Sequence, residues 1–206
     1  MNQKKLIVVL GMHRSGTSAI TRGLQLLGVG LGGNLHPAAS DNPKGFWEDR
    51  DCLEINEALL EHLGSAYDHL DFAWENIDNS AEISRLKLRA SQLIAKKLSE
   101  SNGVWGFKDP RTCRLLSFWQ EVFQAVGCDT RYVIALRNPA SVVESLENRN
   151  ALPAEKSYLL WLQHTLPSVL QTQGKKRVLV EYDKLNRQID AAGTSANQAL
   201  ESIAAA

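Results

Sequence analysis

The chain lacks the features that mark disulfide-rich, metal-ribbon and membrane-spanning proteins. Only three cysteines occur in its 206 residues, namely Cys52, Cys113 and Cys128. They form no CxxC pair, so neither a disulfide framework nor a zinc ribbon is predicted. The apolar run Leu6–Leu10 is too short to span a membrane, and no small-residue cleavage site follows it. We therefore expect this run to be a strand, and the protein to be cytoplasmic.

An excess of charge of either sign is also missing. The chain has 23 basic and 23 acidic residues, which gives a formal net charge of zero. Nucleic-acid-binding surfaces carry clustered positive charge, so we do not expect a nucleic-acid partner, although a local basic pocket is compatible with this balance. The length fits one domain. We place it at residues 1–182, followed by an alanine-rich tail, 183–206, that is weakly structured or helical.

Four short apolar segments alternate with helical patterns along the chain. The predicted strands are Leu6–Leu10, Val104–Phe107, Arg131–Leu136 and Lys176–Tyr182. The predicted helices between them are Thr17–Leu27, Asp51–Leu63, a helix from a capping box at Asn79 and Glu82 to about Ser99, Leu115–Val126, Pro139–Arg149 and Ala154–Gln173, which Pro167 should kink or shorten. This alternation predicts an α/β fold with a parallel sheet flanked by helices.

The first strand runs into a loop, Gly11–Ser18, that has the composition of a phosphate-binding site. Glycines allow several backbone N–H groups to converge on one anion, and the N-terminus of the following helix is attractive to negative charge. Arg14 adds a full positive charge to this loop. Hydroxyl donors come from Ser15, Thr17 and Ser18.

The spacing from Gly11 to Gly16 matches the start of a P-loop. A nucleoside triphosphatase would continue with lysine and then serine or threonine. Here Gly16 is followed by Thr17 and Ser18, and the cation stands at Arg14. The loop can therefore hold a phosphate but lacks the lysine that reaches a γ-phosphate.

Further charged residues follow the later strands, where ligands of parallel sheets bind. Lys108–Arg111 follows the second strand, and Arg137 follows the third. Ser141 and Ser145 are four residues apart on the next helix and share a face. An arginine and a serine so placed can hold one phosphate group from two sides. Two phosphate sites at one sheet edge suit a nucleoside that carries two phosphates.

These segments together resemble the sulfotransferases that use 3′-phosphoadenosine 5′-phosphosulfate. In that family a (K/R)SGT(T/S) loop binds the 5′-phosphosulfate, and it is matched here by Arg14–Ser18. A later R-(N/D)-x6-S segment binds the 3′-phosphate, and it is matched by Arg137 and Ser145. Lys108–Pro110 is similar to a KDP segment of tyrosylprotein sulfotransferases and bacterial relatives. The resemblance covers residues 5–182 in motif order, and it departs at the short C-terminal region.

The resemblance implies a P-loop-type α/β/α fold and transfer of a sulfuryl group to a hydroxyl or amine of a glycan or small-molecule acceptor. In that family the reaction leaves adenosine 3′,5′-bisphosphate as its nucleotide product and needs no metal. Arg14–Ser18 would hold the 5′ end, with Gly16 at the centre of the loop, and Arg137 with Ser145 would hold the 3′ end. Arg14 and Lys108 would offset the charge that develops on the bridging oxygen.

Glu48 is our first candidate for the catalytic base. Several branches of the family place a glutamate in this region, and the neighbouring Phe46 and Trp47 could raise its pKa by desolvation. An exposed carboxylate near the start of a helix is the plainer interpretation of Glu48. Asp109 is the competing base. We assign structural or solvated roles to His13 and His36.

Two other functions remain open at this point. A P-loop phosphotransferase or nucleoside triphosphatase could use Asp109 as a magnesium ligand, although the lysine after Gly16 is missing. A catalytically silent nucleotide-binding relative would keep the fold without turnover. Acceptor specificity should lie in the variable segments 34–50, 64–78 and 146–156. The sequence leaves the acceptor and the oligomeric state undetermined.

Overall fold

The computed structural model describes residues 4–39, 45–70 and 80–192, with side chains as far as Arg187. Its sheet contains four parallel strands, which are β1 Lys5–Leu10, β2 Val104–Lys108, β3 Asp129–Leu136 and β4 Arg177–Glu181. The helices of these residues are α1 Thr17–Leu26, α2 Arg50–His62, α3 Ala81–Glu100, α4 Leu116–Val126, α5 Pro139–Asn150, α6 Ala154–Leu170 and α7 Tyr182–Ala192. The predicted α/β fold is confirmed.

Strands β1, β2 and β3 are largely buried on both faces, as parallel strands usually are, whereas most of β4 is exposed. Successive residues of β1 point to opposite sides. Val8 packs into the large cluster formed with α2, α3 and α4. Val9 instead packs with Ile20 of α1 and Leu185 of α7. The near-continuous apolar sequence of β1 follows from this two-sided burial.

The strand order β2-β1-β3-β4 places β1 between its two successors. β2 pairs with one side of β1, and the chain then crosses over the sheet so that β3 pairs with the other side of β1. In open α/β sheets, ligands bind beside the carboxyl ends of the strands where the winding direction changes. The loops that follow β1 and β3 therefore meet at this edge.

Several helix ends differ from those expected from the sequence. Asn79 lies outside the described residues, and the side chain that caps α3 is that of Ser80, which accepts the Ile83 N–H at 3.2 Å. Glu82 pairs with Arg85 at 2.6 Å. α6 contains Pro167 and ends at Leu170, three residues before the expected Gln173, and the kink at Pro167 stays a prediction.

The expected tail begins with an ordered helix, α7, and residues 193–206 lie outside the described residues. Leu185 of α7 is buried against the sheet. The domain boundary at residue 182 stays a prediction. No helix in the described parts of the chain combines the length and apolar content that crossing a membrane requires.

Candidate active site

Two glycines shape the loop between β1 and α1. Gly11 has a φ of 151°, and a Cβ added there would lie 2.9 Å from both the Ala135 carbonyl oxygen and Thr17 Cγ2. Gly16 has a φ of 82° and precedes the first turn of α1, which no side chain caps. The first N–H groups of a helix have no partner within it. The uncapped start of α1 is therefore a site where an anion can accept hydrogen bonds.

Arg14 adopts the left-handed conformation, with a φ of 68°. This conformation costs a non-glycine residue free energy, and it persists where the surroundings hold it. Arg14 Nε donates to Ser145 Oγ at 2.8 Å. The Arg14 carbonyl oxygen accepts from Arg137 Nη1 at 2.7 Å. The residues predicted for the two ends of the nucleotide are thus in direct contact.

The hydroxyl groups of the loop differ in their surroundings. The side chains of Ser15 and Thr17 are buried, and the Ser15 N–H turns back to the Met12 carbonyl oxygen at 3.1 Å. Ser18 Oγ donates to the Phe46 carbonyl oxygen at 3.1 Å. Ser18 therefore links α1 to the segment that carries the candidate base, a contact that the sequence did not indicate.

Arg137 contacts two residues that no sequence motif assigns to the site. Its guanidinium lies 5.6 Å from the centre of the Tyr182 ring, and its Nε lies 3.5 Å from Asp183 Oδ1. Asp183 Oδ2 also accepts the Asn138 N–H at 2.8 Å. Tyr182 and Asp183 had no motif to mark them, because their role depends on the position of β4 beside β3.

The contact between Gly16 and Tyr182 gives a first testable prediction. A Cβ on Gly16 would lie 2.0 Å from Tyr182 Cδ2, so the ring would have to move. We expect Gly16→Ala to lower the free energy of unfolding by about 3 kcal/mol, which combines this clash with the strain of a left-handed alanine. Denaturant unfolding measures the loss.

Gly28→Ala is the matched control for this substitution. Gly28 also has a positive φ, 89°, but a Cβ there meets nothing within 4 Å. Gly28→Ala should therefore lower the free energy of unfolding only by the backbone strain, about 1 kcal/mol. Equal losses for the two variants would contradict the role of the Tyr182 ring against Gly16.

Lys108 and Glu48 form a buried ion pair beside the loop. Lys108 Nζ lies 2.7 Å from Glu48 Oε1 and donates to the Phe46 carbonyl oxygen at 2.8 Å. Only 5% of Glu48 and 3% of Lys108 is exposed. Burial raises the pKa of Glu48, and the neighbouring Lys108 opposes part of that rise. The plainer interpretation of Glu48 as an exposed carboxylate is therefore wrong.

Asp109 has a carboxylate whose two oxygens already accept hydrogen bonds. Oδ1 accepts from the Arg111 N–H at 2.9 Å and from Arg111 Nη1 at 3.1 Å, and Oδ2 accepts from Asn56 Nδ2 at 3.1 Å. The side chain is fully buried and caps a short 3-10 helix, Pro110–Cys113. Asn56 in turn accepts from Trp119 Nε1 at 2.7 Å. Asp109 thus belongs to a saturated internal network.

A cavity of about 250 Å³ lies beside Glu48. Its apolar wall comes from side chains of the first loop, α2, α5 and α6 and from the 46–70 region. That wall comprises Met12, Phe46, Leu53, Tyr67, Leu146, Leu152 and Leu160, and the polar groups include His13, His36, Glu48, Glu57, Arg111 and Arg149. The cavity can enclose a compact molecule with both apolar and polar parts.

The two histidines were assigned by sequence to structural or solvated roles, yet both line this cavity. Burial lowers the pKa of His13 well below its ordinary value, and His164 and Arg111 lower it further. His13 is therefore neutral near pH 7. Its position immediately before Arg14 was the one sequence signal that could have placed it here. In the described part of the chain, no cluster of three or more potential metal ligands is found.

Comparison with known proteins finds similar folds among solved structures. No family model matches the chain, and no curated protein matches its sequence. A solved structure described as a putative kinase, from Chloroflexus aurantiacus J-10-fl, has a TM-score of 0.51 and 14% identity and covers 98% of this chain and 95% of its own. The sulfotransferase domain of the Synechococcus PCC 7002 olefin synthase has a TM-score of 0.50 and 20% identity. The match covers 97% of this chain and 76% of the other chain. The fold is therefore similar to those of a sulfotransferase domain and a kinase-like protein.

Proposed function

We propose that the protein transfers a sulfuryl group from 3′-phosphoadenosine 5′-phosphosulfate to a hydroxyl or amine of a small acceptor or glycan. The observation that carries the proposal is the contact among Arg14, Ser145 and Arg137. Arg14 Nε bonds Ser145, and Arg137 bonds the Arg14 carbonyl oxygen. The 5′ and 3′ phosphates of this nucleotide sit on one ribose, so their binding groups must be neighbours.

The residues of the chain suit such a donor. The uncapped N-terminus of α1 and the guanidinium of Arg14 are available for the 5′ end. Ser145 and Arg137 are available for the 3′ end. The missing lysine after Gly16 argues against binding of a nucleoside triphosphate, whose γ-phosphate that lysine would contact. It does not argue against 3′-phosphoadenosine 5′-phosphosulfate, which has no γ-phosphate. When bound, the donor supplies the sulfuryl group.

Glu48 is the base that this geometry favours over Asp109. Both Asp109 oxygens accept hydrogen bonds within the protein, whereas Glu48 lines the cavity. Glu48 would take the proton from the acceptor hydroxyl as the new oxygen–sulfur bond forms and the sulfur–phosphate oxygen bond breaks. Taking that proton removes the negative charge that holds Lys108 Nζ. Lys108 then becomes available to donate to the departing phosphate oxygen.

The cavity favours a compact acceptor over a long polymer. Pockets for drug-sized ligands span about 300–1,000 Å³, and the one beside Glu48 measures about 250 Å³. Its wall combines aromatic and aliphatic side chains with histidines and arginines. A small molecule or single sugar unit that presents one hydroxyl to Glu48 would fit this lining.

A P-loop phosphotransferase is the second candidate, favoured by the likeness to the kinase-like structure. That function would need a carboxylate at the end of β2 to hold magnesium. Asp109 occupies this position, but its oxygens are bound to Arg111 and Asn56. A magnesium ion would have to compete with Arg111 or with Asn56 for one of these oxygens. This competition is the reason that we place the sulfotransferase function first.

Calorimetry with two nucleotides separates these functions. We expect adenosine 3′,5′-bisphosphate to bind without magnesium, and ATP with magnesium to bind far more weakly. Ser145→Ala should weaken the bisphosphate about tenfold, the share of one hydrogen bond to a charged group, and should leave adenosine 5′-monophosphate nearly unchanged. Ser141→Ala, four residues earlier on the same helix, is the control.

Other outcomes would count against the proposal. Preference for ATP with magnesium would support the phosphotransferase. Equal losses for the bisphosphate and the monophosphate would mean that Ser145 acts only through Arg14. Tight bisphosphate binding without transfer of labelled sulfate to any acceptor pool would support a catalytically silent relative.

A further inference from the structure

α6 carries five large apolar residues on the outside, while Leu160 and Pro167 face inward. Its inward-facing side chains include Ser157, His164 and Ser168, each with 0% exposure. A helix on the surface of a globular protein normally shows the reverse arrangement, with apolar residues towards the core. The outward side chains are Tyr158, Leu159, Leu162, Leu166 and Leu170, with exposures between 42% and 56%. We call these five residues the α6 stripe.

Three of the inward polar atoms of α6 and its C-terminal end bond to backbone carbonyls of the same helix, whereas Ser157 Oγ and His164 Nε2 have no hydrogen-bond partner among the described residues. Ser168 Oγ donates to the His164 carbonyl oxygen at 2.6 Å, and Thr172 Oγ1 donates to the Ser168 carbonyl oxygen at 2.6 Å. His164 Nδ1 donates to the Leu160 carbonyl oxygen at 2.7 Å. Polar side chains bonded in this way let α6 pack closely against the rest of the protein. The leucines of the stripe therefore contribute little to the fold of one chain.

The apolar surface continues onto β4, which pairs only with β3 among the described strands. Arg177 donates to the Val169 carbonyl oxygen, so its face of the strand is turned towards α6. Leu179 is two residues further along on the same face and is 46% exposed. Exposed apolar side chains beside an open sheet edge are typical of a protein–protein interface.

We propose that a second copy of this chain covers the α6 stripe, with the two α6 helices antiparallel about a two-fold axis. With the axis midway between Leu162 and Leu166, Leu162 of one copy lies opposite Leu166 of the other. Tyr158 then faces Leu170. Such self-complementary contacts are what a two-fold interface requires, and antiparallel helices also align their dipoles favourably.

Charge complementarity supports this pairing. Glu155 lies in the first turn of α6, and Lys175 lies shortly beyond its last turn; both are exposed. The same axis brings Glu155 of one copy opposite Gln173 and close to Lys175 of the other. The zero net charge adds no overall repulsion between copies. The C-terminal residues 193–206 are a poorer cover, because Leu200 and Ile203 are their only large apolar residues.

Sedimentation of the full chain across a concentration series tests the proposal. We expect a dimer for the wild type. Leu166→Glu should raise the dimer dissociation constant on the order of 100-fold or more, because it would bury two unpaired charges in an apolar contact. Leu88→Glu is the matched control, since Leu88 lies on α3 and is 60% exposed. It should leave the dimer intact, and circular dichroism checks that both variants fold.

A charge exchange tests the antiparallel arrangement. Glu155→Lys and Lys175→Glu should each weaken the dimer a few-fold, and the double variant should recover most of the loss. A wild type that stays monomeric would overturn the proposal, as would a Leu166→Glu variant that dimerises like the wild type. Binding of a monomeric wild type to phospholipid vesicles, lost in Leu166→Glu, would identify a lipid surface as the occupant instead.

Discussion

Replacing Glu48 by glutamine should lower the turnover number for sulfuryl transfer about 100- to 10,000-fold, the usual contribution of a positioned general base. The amide oxygen of glutamine can still accept from Lys108 Nζ, which lies 2.7 Å from Glu48 Oε1. The substitution therefore removes the proton acceptor while the buried lysine keeps a partner. Affinity for adenosine 3′,5′-bisphosphate should be little changed. Steady-state kinetics and calorimetry measure the two effects separately.

The pH dependence provides a second readout for the same residue. A base must be ionised to act, so activity should fall as pH falls through the pKa of Glu48. Burial raises that pKa, and the falling limb should therefore lie at higher pH than for an ordinary glutamate. Glu48→Gln should lack this limb in its residual activity. If the falling limb persists unchanged in Glu48→Gln, the limb belongs to a group other than Glu48.

Glu57→Gln is the matched control for Glu48→Gln. Glu57 lines the same cavity, but its side chain is 56% exposed and pairs with Arg111 at 3.3 Å. We expect its turnover to stay within a few-fold of the wild type, because an exposed ion pair contributes little. Near-normal turnover in Glu48→Gln, or an equal loss in both variants, would contradict the assignment of the base.

Replacing Arg14 by glycine should separate donor binding from stability. The substitution removes a guanidinium that can bind the 5′ end, so we expect affinity for adenosine 3′,5′-bisphosphate to fall on the order of 100-fold. It also relieves the left-handed strain at a φ of 68°. The free energy of unfolding should therefore stay within about 1 kcal/mol of the wild type. Calorimetry and denaturant unfolding give the two values.

Ala151→Gly controls for the release of backbone strain. Ala151 also has a positive φ, 52°, and it ends α5 without contributing to the phosphate loop. This variant should be as stable as the wild type or more so, with unchanged affinity for the bisphosphate. Arg14→Gly would argue against a binding role if it kept wild-type affinity. A large loss of stability would instead make Arg14 a structural residue.

The fold could be predicted because its elements repeat a simple pattern. Buried strands such as β1 and β3 have near-continuous apolar sequences, and glycine and proline mark the helix ends at Gly127 and Pro139. Strand order was not predictable from these local patterns, since it depends on which side each crossover takes. α6 was predicted to reach Gln173 but ends at Leu170, and it accommodates Pro167 because a proline near the last turn interrupts only one backbone hydrogen bond.

The candidate site could be predicted where a motif marks it. Arg14, Arg137 and Ser145 come from segments with recognisable spacing, and they are brought together. Tyr182 and Asp183 were missed because long-range packing alone places them at the loop. Asp109 looked like a candidate base because the sequence cannot reveal that Asn56 and Arg111 occupy its oxygens.

The carbonyl oxygen of Phe46 accepts from both Ser18 and Lys108, and it does so whatever side chain residue 46 carries. A substitution scan at this position would report only on the aromatic ring, whose centre lies 4.8 Å from that of His36. The main-chain junction would be invisible to such a scan and to the comparison of sequences. Related chains could therefore vary freely at this position while they preserve the same attachment of the Glu48 segment.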